Sequence, residues 1–289
     1  MITQAPNYNR RKWVDRFMRG LTIAATGLAL IPLFLILGYV VFRGASALNL
    51  DFFTKAYEPP VAGAGGTVSN AGGILHGIVG SLLIVGVAML IALPIGLLAA
   101  VFLAEYPANS VATFVRFCTD VLSAAPSIIV GVVAYVLIVQ RTRQFSGLAG
   151  SVALAVLMVP VITRTTEEIL KLVPHGMREA AMALGAPKWR LTLTVVIPAA
   201  LSGIVTGALL AFARATGETA PLLLTVLGNN NVSFNLLAPM AALPLLTYKY
   251  TDTPFPAQNT LAWGTALILT LLVLSVNILV RWATRNRLK

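Results

Sequence analysis

Long apolar runs alternate with shorter polar segments along the whole chain. The first run covers residues 21–42, directly after a basic stretch holding Arg10, Arg11, Lys12, Arg16 and Arg19. It is longer than the apolar part of a signal peptide, about 7–15 residues. It therefore reads as a retained first transmembrane helix, although Ala45-Ser46-Ala47 imitates a cleavage site. Residues 43–73 are polar and glycine-rich, with Pro59, Pro60 and the stretch 62–66, and predict a loop outside the membrane. Residues 74–104 are apolar throughout and exceed the ~20 residues needed to span. Pro94 predicts a kink there, or else the helix ends protrude. A polar turn with Pro107 covers 105–116, and the third run, 117–139, is broken by Pro126. A connector with Arg141 and Arg143 (residues 140–146) leads to a short fourth run, 147–162, which is either steep or completed by Thr163 and Arg164. Residues 165–196 are polar and partly amphipathic, and 197–227 form the fifth run. The second long loop, 228–260, contains an apolar piece at 232–246 that Pro239 and Pro244 make too broken to span, so it reads as interfacial or re-entrant. Residues 261–280 are the sixth run, and no internal repeat or low-complexity tract is visible. The pattern predicts an all-α membrane protein with six transmembrane helices. Its parts are a basic segment (1–20), a first helix (21–43), a loop (44–73), a core (74–283) and a tail (284–289).

Composition agrees. The chain is 57% hydrophobic and 11% charged, where a soluble domain carries about 25% charged residues. The net charge of +11 would suit nucleic acid, but the charges sit beside apolar runs and not on one soluble face. Fifteen of the 21 Lys and Arg residues fall on one side of the six-span arrangement, five on the other, and Arg214 lies within a span. The richer side is cytoplasmic by the positive-inside rule. That puts both termini and residues 165–196 in the cytoplasm of an inner-membrane protein that binds no nucleic acid. Cys118 is the only cysteine. It excludes an intrachain disulfide or multi-cysteine metal site and reads as a small buried hydrophobe. The sequence has no G-x4-G-K-[ST] phosphate loop, since Gly185-Ala186-Pro187-Lys188 does not fit it. No nucleophile–base pair or metal-ligand cluster stands out, so no catalytic residue and no metal are assigned.

The charged residues within the fifth run carry the candidate chemistry. Residues 211–228 read AFARATGETAPLLLTVLG. Arg214 and Glu218 are four apart, share a helix face and can pair. An arginine at mid-bilayer costs about 2.5–3.5 kcal/mol even on lenient scales, which points to a use. Either the pair lines a translocation route or it only fixes helix packing. Pro221 cannot donate to the carbonyl of Gly217, so these two residues predict a hinge. Gly203, Gly207 and Ala211 continue the stripe with small residues that permit close helix packing. Arg164, ahead of Thr165, Thr166, Glu167 and Glu168, either receives an anion at the cytoplasmic exit or snorkels to lipid phosphate. Arg141 and Arg143 lie outside and either bind a partner protein or are simply solvated.

A second pattern lies at residues 178–198, REAAMALGAPKWRLTLTVVIP. Residues 177–184 are strong helix formers without a β-branched side chain. Gly185 can take positive φ and end the helix, and Pro187 blocks its continuation. Glu179-Ala180-Ala181, three residues, Gly185, nine residues, then Val195-x-Ile197-Pro198 resembles the E-A-A-x3-G-x9-I-x-L-P loop of bacterial ABC-transporter permeases, whose short cytoplasmic helix docks on a separate ATPase. The run ARATGETAPLLLTVLG narrows the resemblance to the PstA-type permeases of phosphate-specific ABC transporters. Residues 160–185 (PVITRTTEEILKLVPHGMREAAMALG) and 72–85 (GGILHGIVGSLLIV) are similar to the same family. The resemblance covers residue 72 to the C-terminus.

That resemblance implies a type I ABC importer permease fold that carries inorganic phosphate inward through Arg214, Glu218 and Arg164. It implies ATPase coupling through Glu179, Ala180, Ala181 and Gly185. The implied partners are a sister permease (PstC-type), a homodimeric ATP-binding subunit (PstB-type) that holds ATP and Mg, and a periplasmic or lipid-anchored phosphate-binding protein (PstS-type). The chain itself would bind no cofactor. His76 departs from the pattern, where an amide or small residue is expected, and reads as a polar helix-end residue. The rival expectations are a permease for sulfate, molybdate or phosphonate, an ion-coupled secondary transporter, and a membrane scaffold.

Overall fold

A computed structural model describes residues 8–59, 61–62, 68–69 and 72–285. The expected features at Pro60, at 63–67 and at the tail cations Arg287 and Lys289 lie outside them. The helices are α1 (Tyr8–Gly44), α2 (Leu50–Thr54), α3 (Leu75–Glu105), α4 (Ser110–Ala124), α5 (Ser127–Thr142), α6 (Gly147–Lys171), α7 (His175–Ala183), α8 (Lys188–Thr216), α9 (Ala220–Thr225), α10 (Leu243–Thr251) and α11 (Pro256–Arg285). Strands β1 (Val61–Ala62) and β2 (Val68–Ser69) pair antiparallel, Val61 opposite Ser69. Among the described residues five helices (α1, α3, α6, α8 and α11) are long and apolar enough to cross a membrane, and a sixth crossing results if α4 and α5 count as one.

That third span is not a straight helix. Its halves meet at 103°. Ala125 and Pro126 are both extended, with ψ near 133° and 132°. A residue before proline is pushed out of the helical region, so the break at Pro126 becomes a corner. Other boundaries also move. The fourth span does not stop at 162: α6 runs through Pro160 and on to Lys171. The fifth begins at Lys188, nine residues before Ile197, and ends at Thr216. Pro94 does not interrupt α3, whose 31 residues span about 46 Å at ~1.5 Å each.

α6 is the centre of the bundle, the most enclosed of the long helices. Small residues let its neighbours close in. Ideal Cβ atoms on Gly203 and Gly207 of α8 would lie 2.5 Å from Ile169 Cδ1 and 2.3 Å from Thr165 Oγ1. One on Gly96 of α3 would lie 2.8 Å from Ile162. Without a hydrophobic force between helices in lipid, such close packing and interhelical hydrogen bonds supply the association. Ser151 Oγ donates to the Ile84 carbonyl at 2.9 Å and Thr163 Oγ1 to the Gly96 carbonyl at 3.3 Å.

The second long loop folds inward against the start of α3. Only the end of the apolar piece 232–246 is helical: the helix begins at Leu243 and continues to Thr251. Ala241, Ala242, Leu243 and Leu245 are buried, and Ser81 Oγ accepts from the Leu243 amide at 2.8 Å. His76 is the second residue of α3, a helix-end position as expected. It is buried, with Nε2 3.5 Å from Tyr250 Oη. The bundle thus has two ends. One gathers α2, α10 and the starts of α3 and α11. The other gathers the ends of α3 and α6, the helix α7 and the start of α8.

Candidate functional site

Arg214 sits in the last turn of α8, where the helix dipole favours a cation. The helix stops two residues later. Gly217 and Glu218 donate only short-range bonds, to the Arg214 and Ala215 carbonyls at 3.2 Å each. The chain resumes as α9 at Ala220, with Pro221 in its first turn. Glu218 therefore occupies a gap between two helices and not a continuous fifth span. Gly217 has φ −92°, a value open to any residue. Pro221 is buried, and an ideal Cβ on Gly131 of α5 would lie 2.8 Å from its Cα.

A cavity of about 280 Å³ opens beside this gap, lined by Arg214 and Glu218, by Leu157 and Val161 of α6, and by residues 122–127 at the α4–α5 corner. Arg214 Nε and Glu218 Oε1 are 3.9 Å apart, with side chains 63% and 20% exposed. At that distance the two attract but do not share a hydrogen bond. The guanidinium keeps donors free to turn toward the cavity. The corner supplies Ser127 at the start of α5, where the positive dipole end adds to the attraction for an anion. A cationic fork, a helix N-terminus and one carboxylate in a partly enclosed space can hold an oxyanion that retains a proton.

The small-residue stripe is not continuous with Arg214. Gly203, Gly207 and Ala211 turn into α6, and Ala215 follows them into the core. Arg214, one position round, faces out. Arg164 is absent from the cavity lining. It lies one turn beyond Val161, ~4.5 Å further along α6, in a different cluster. Its Nη1 is 3.4 Å from Glu167 Oε2 and its Nε 3.4 Å from Glu168 Oε1.

The centre of that cluster, Glu167, escaped sequence reasoning. Its side chain is fully buried, and Oε1 accepts from Arg116 Nη2 at 2.8 Å, Arg116 Nε at 3.2 Å and Lys171 Nζ. Arg164 and Lys171 are its i−3 and i+4 neighbours, visible on a helical wheel. Arg116 comes from α4, 51 residues away, and nothing local marks it.

At the same end α7 carries the EAA pattern. Gly185 has φ +79°. The Gly185 amide donates to the Met182 carbonyl at 2.9 Å and the Ala186 amide to the Ala181 carbonyl at 3.2 Å. This pair of bonds is a Schellman stop, which needs the left-handed residue that glycine provides. Glu179 and Ala180 are exposed and Ala181 half-buried. Met177, Met182, Leu184 and Trp189 also expose apolar surface, which marks an interaction face. Among the described residues no group of three metal-binding side chains occurs.

Comparison with known proteins follows the same lines. The family model for the binding-protein-dependent transport system inner membrane component matches residues 92–289. The Haemophilus influenzae phosphate transport system permease protein PstA is 44% identical over 272 residues, covering 94% of each chain. The protein of the same name from Yersinia pestis is 44% identical over 94% of this chain and 90% of its own. Among solved structures, an inward-facing MetNI methionine ABC transporter chain superposes with TM-score 0.61 at 22% identity, over 74% of this chain and 95% of that one. This likeness gives the fold, that of an ABC importer permease.

Proposed function

From the premise that the chain belongs to the binding-protein-dependent transport system inner membrane components, and among them to the PstA-type permeases, we propose that it carries inorganic phosphate inward as one half of a shared path. The chain is a multi-pass membrane transport subunit of an ABC transporter. The observation that carries the substrate assignment is identity of 44% across nearly all of both chains with a phosphate permease, joined to an arginine and a carboxylate in one cavity. A sister permease of PstC type would complete the path. A homodimeric PstB-type ATPase, holding ATP and Mg, would dock on α7 through Glu179, Ala180, Ala181 and Gly185. A PstS-type phosphate-binding protein would deliver substrate at the opposite end. The charge count supports a cytoplasmic α7 and cytoplasmic termini.

Phosphate near neutral pH is an anion that keeps a P–OH proton. Arg214 donates to its oxygens in a planar fork. Glu218 accepts from the P–OH. Sulfate has no proton to give, and the carboxylate repels it. The loose pairing suits permeation, which needs binding weak enough to release. Arg164 would take the anion next, beyond Val161. Gly217 and Pro221 would let the gap flex as access switches.

The test is competition uptake of labelled phosphate against sulfate in cells relying on this transporter. Glu218→Gln should retain anion binding and lose selectivity, with the preference for phosphate falling about tenfold, the worth of one charged hydrogen bond. An unchanged preference would remove the carboxylate from the filter.

A further inference from the structure

Two adjacent residues in the middle of α7 face opposite ways. Glu179 is exposed. Arg178 turns inward, donating from Nη1 to Glu105 Oε1 at 2.6 Å and from Nη2 to the Leu170 carbonyl at 3.0 Å. The Arg178 and Glu105 side chains are only 15% and 16% exposed. Glu105 is the last residue of α3, and Leu170 is next to last in α6. One guanidinium thus ties α7 to the ends of α3 and α6.

Both acceptors suit a cation. The Leu170 carbonyl belongs to the last turn of α6, where it accepts a long bond from the Val173 amide at 3.4 Å and keeps a lone pair for the guanidinium. A carboxylate at the end of α3 meets the negative pole of its own helix, so Glu105 is unfavourable there until a cation neutralises it. Arginine reaches both groups with one rigid fork, and a lysine reaches one. Connectivity adds to the case. α7 is joined by the chain to α6 and α8, but α3 is reached only through space. Beside the ion pair lies a cavity of about 410 Å³, lined among others by Val101, Tyr106, Met182 and Trp189. The gap between α7 and the end of α3 is bridged here by charge, with open space alongside.

We infer that Arg178 is a positioning residue that transmits displacement of α7 to α3 through Glu105. This rests on the reading of α7 as the element the ATPase moves. Without the link, α7 can move on ATP binding while α3 stays, so hydrolysis continues and transport does not follow.

The test uses the complete transporter, with its ATPase and binding protein, in proteoliposomes, reading phosphate taken up and ATP hydrolysed. Arg178→Gln and Glu105→Gln should each lower phosphate per ATP about tenfold, the loss of one charge-assisted contact, with hydrolysis retained. The double variant should be no worse than either single one, since both break the same link. Arg178→Lys should recover part of the ratio. An unchanged ratio in Glu105→Gln overturns the inference, as does an additive double variant, and so does a parallel loss of hydrolysis and uptake. Should Arg178→Gln fail to reach the membrane, Glu105→Gln, nearly the same shape without charge, decides alone. Glu179→Lys separates the two levels. If it stays coupled, the reading of α7 fails. If it uncouples and Glu105→Gln does not, only the strut fails.

Discussion

Arg214 and Arg116 both face a carboxylate inside an apolar bundle, yet they are built for different ends. Arg116 shares the fully buried Glu167 with Lys171 and Arg164, at 2.8 Å for its closer nitrogen. Arg214 stands 3.9 Å from Glu218, mostly exposed, at the wall of a cavity. A buried carboxylate survives only when its lone pairs are filled by close donors. Filled, it cannot take a ligand. A half-made pair keeps donors in hand. The same residue types therefore make a joint in one place and, on the function proposed above, a binding surface in the other. The two are coupled: Arg116 holds α4 on α6, and the far end of α4 forms the corner that closes the Arg214 cavity.

The largest effect should come from the joint. Glu167→Ala leaves three cations clustered without their shared counter-charge and unties α4 from α6. Breaking a buried pair by removing one partner costs about 3–5 kcal/mol. The exposed flanks of Lys171 and Arg164 favour the lower end of that range. Thermal unfolding of the purified subunit in detergent should show a clear drop, and phosphate uptake should fall with the amount of folded protein. Stability equal to the parent would mean that the cluster holds nothing together.

Arg214→Gln should do the reverse. The side chain is mostly exposed and carries no packing, so stability should stay within ~0.5 kcal/mol. Removing a cationic partner of an anion costs about 1.5–3 kcal/mol, or roughly ten- to hundredfold in uptake at limiting phosphate. Uptake near the parent level would make Arg214 a packing residue and shift the path elsewhere.

Much of this contrast was open to the sequence, and the missing parts share a cause. The apolar runs are local features, and they place every long helix. The i,i+4 spacing of Arg214 and Glu218 is local too, as is the stop at Gly185, whose φ of +79° follows from its place in the EAA pattern. Hydropathy ended α6 too early because Arg164, Glu167, Glu168 and Lys171 look like a loop. They continue the helix because they neutralise one another. Pro126 announced a break, but its 103° corner depends on where α5 lands, against α9. The cavity needs residues 122–127 beside Arg214, some 90 positions on, and the Arg116–Glu167 and Arg178–Glu105 pairs are likewise set by packing. A one-dimensional reading records such residues only as charges for topology.

The smallest expected effect separates the two sites most sharply. Arg116→Lys keeps the charge on Glu167 but replaces two nitrogens, at 2.8 and 3.2 Å from Oε1, by one on a flexible stem. A lost donor to a partner that keeps its charge neutralised is worth about 1 kcal/mol. Thermal unfolding should register that, while phosphate uptake at saturating substrate should change by less than about twofold, because a 1 kcal/mol change spread over a joint leaves nearly all chains folded. If the buried centre of the cluster, beyond the exposed Arg164 at its edge, also served as a station on the anion's route, the geometry of Arg116 would matter as that of Arg214 does. Uptake would then fall far more than stability. Such a result would place Glu167 among the groups an arriving anion must displace, and the separation of joint from binding surface would be lost.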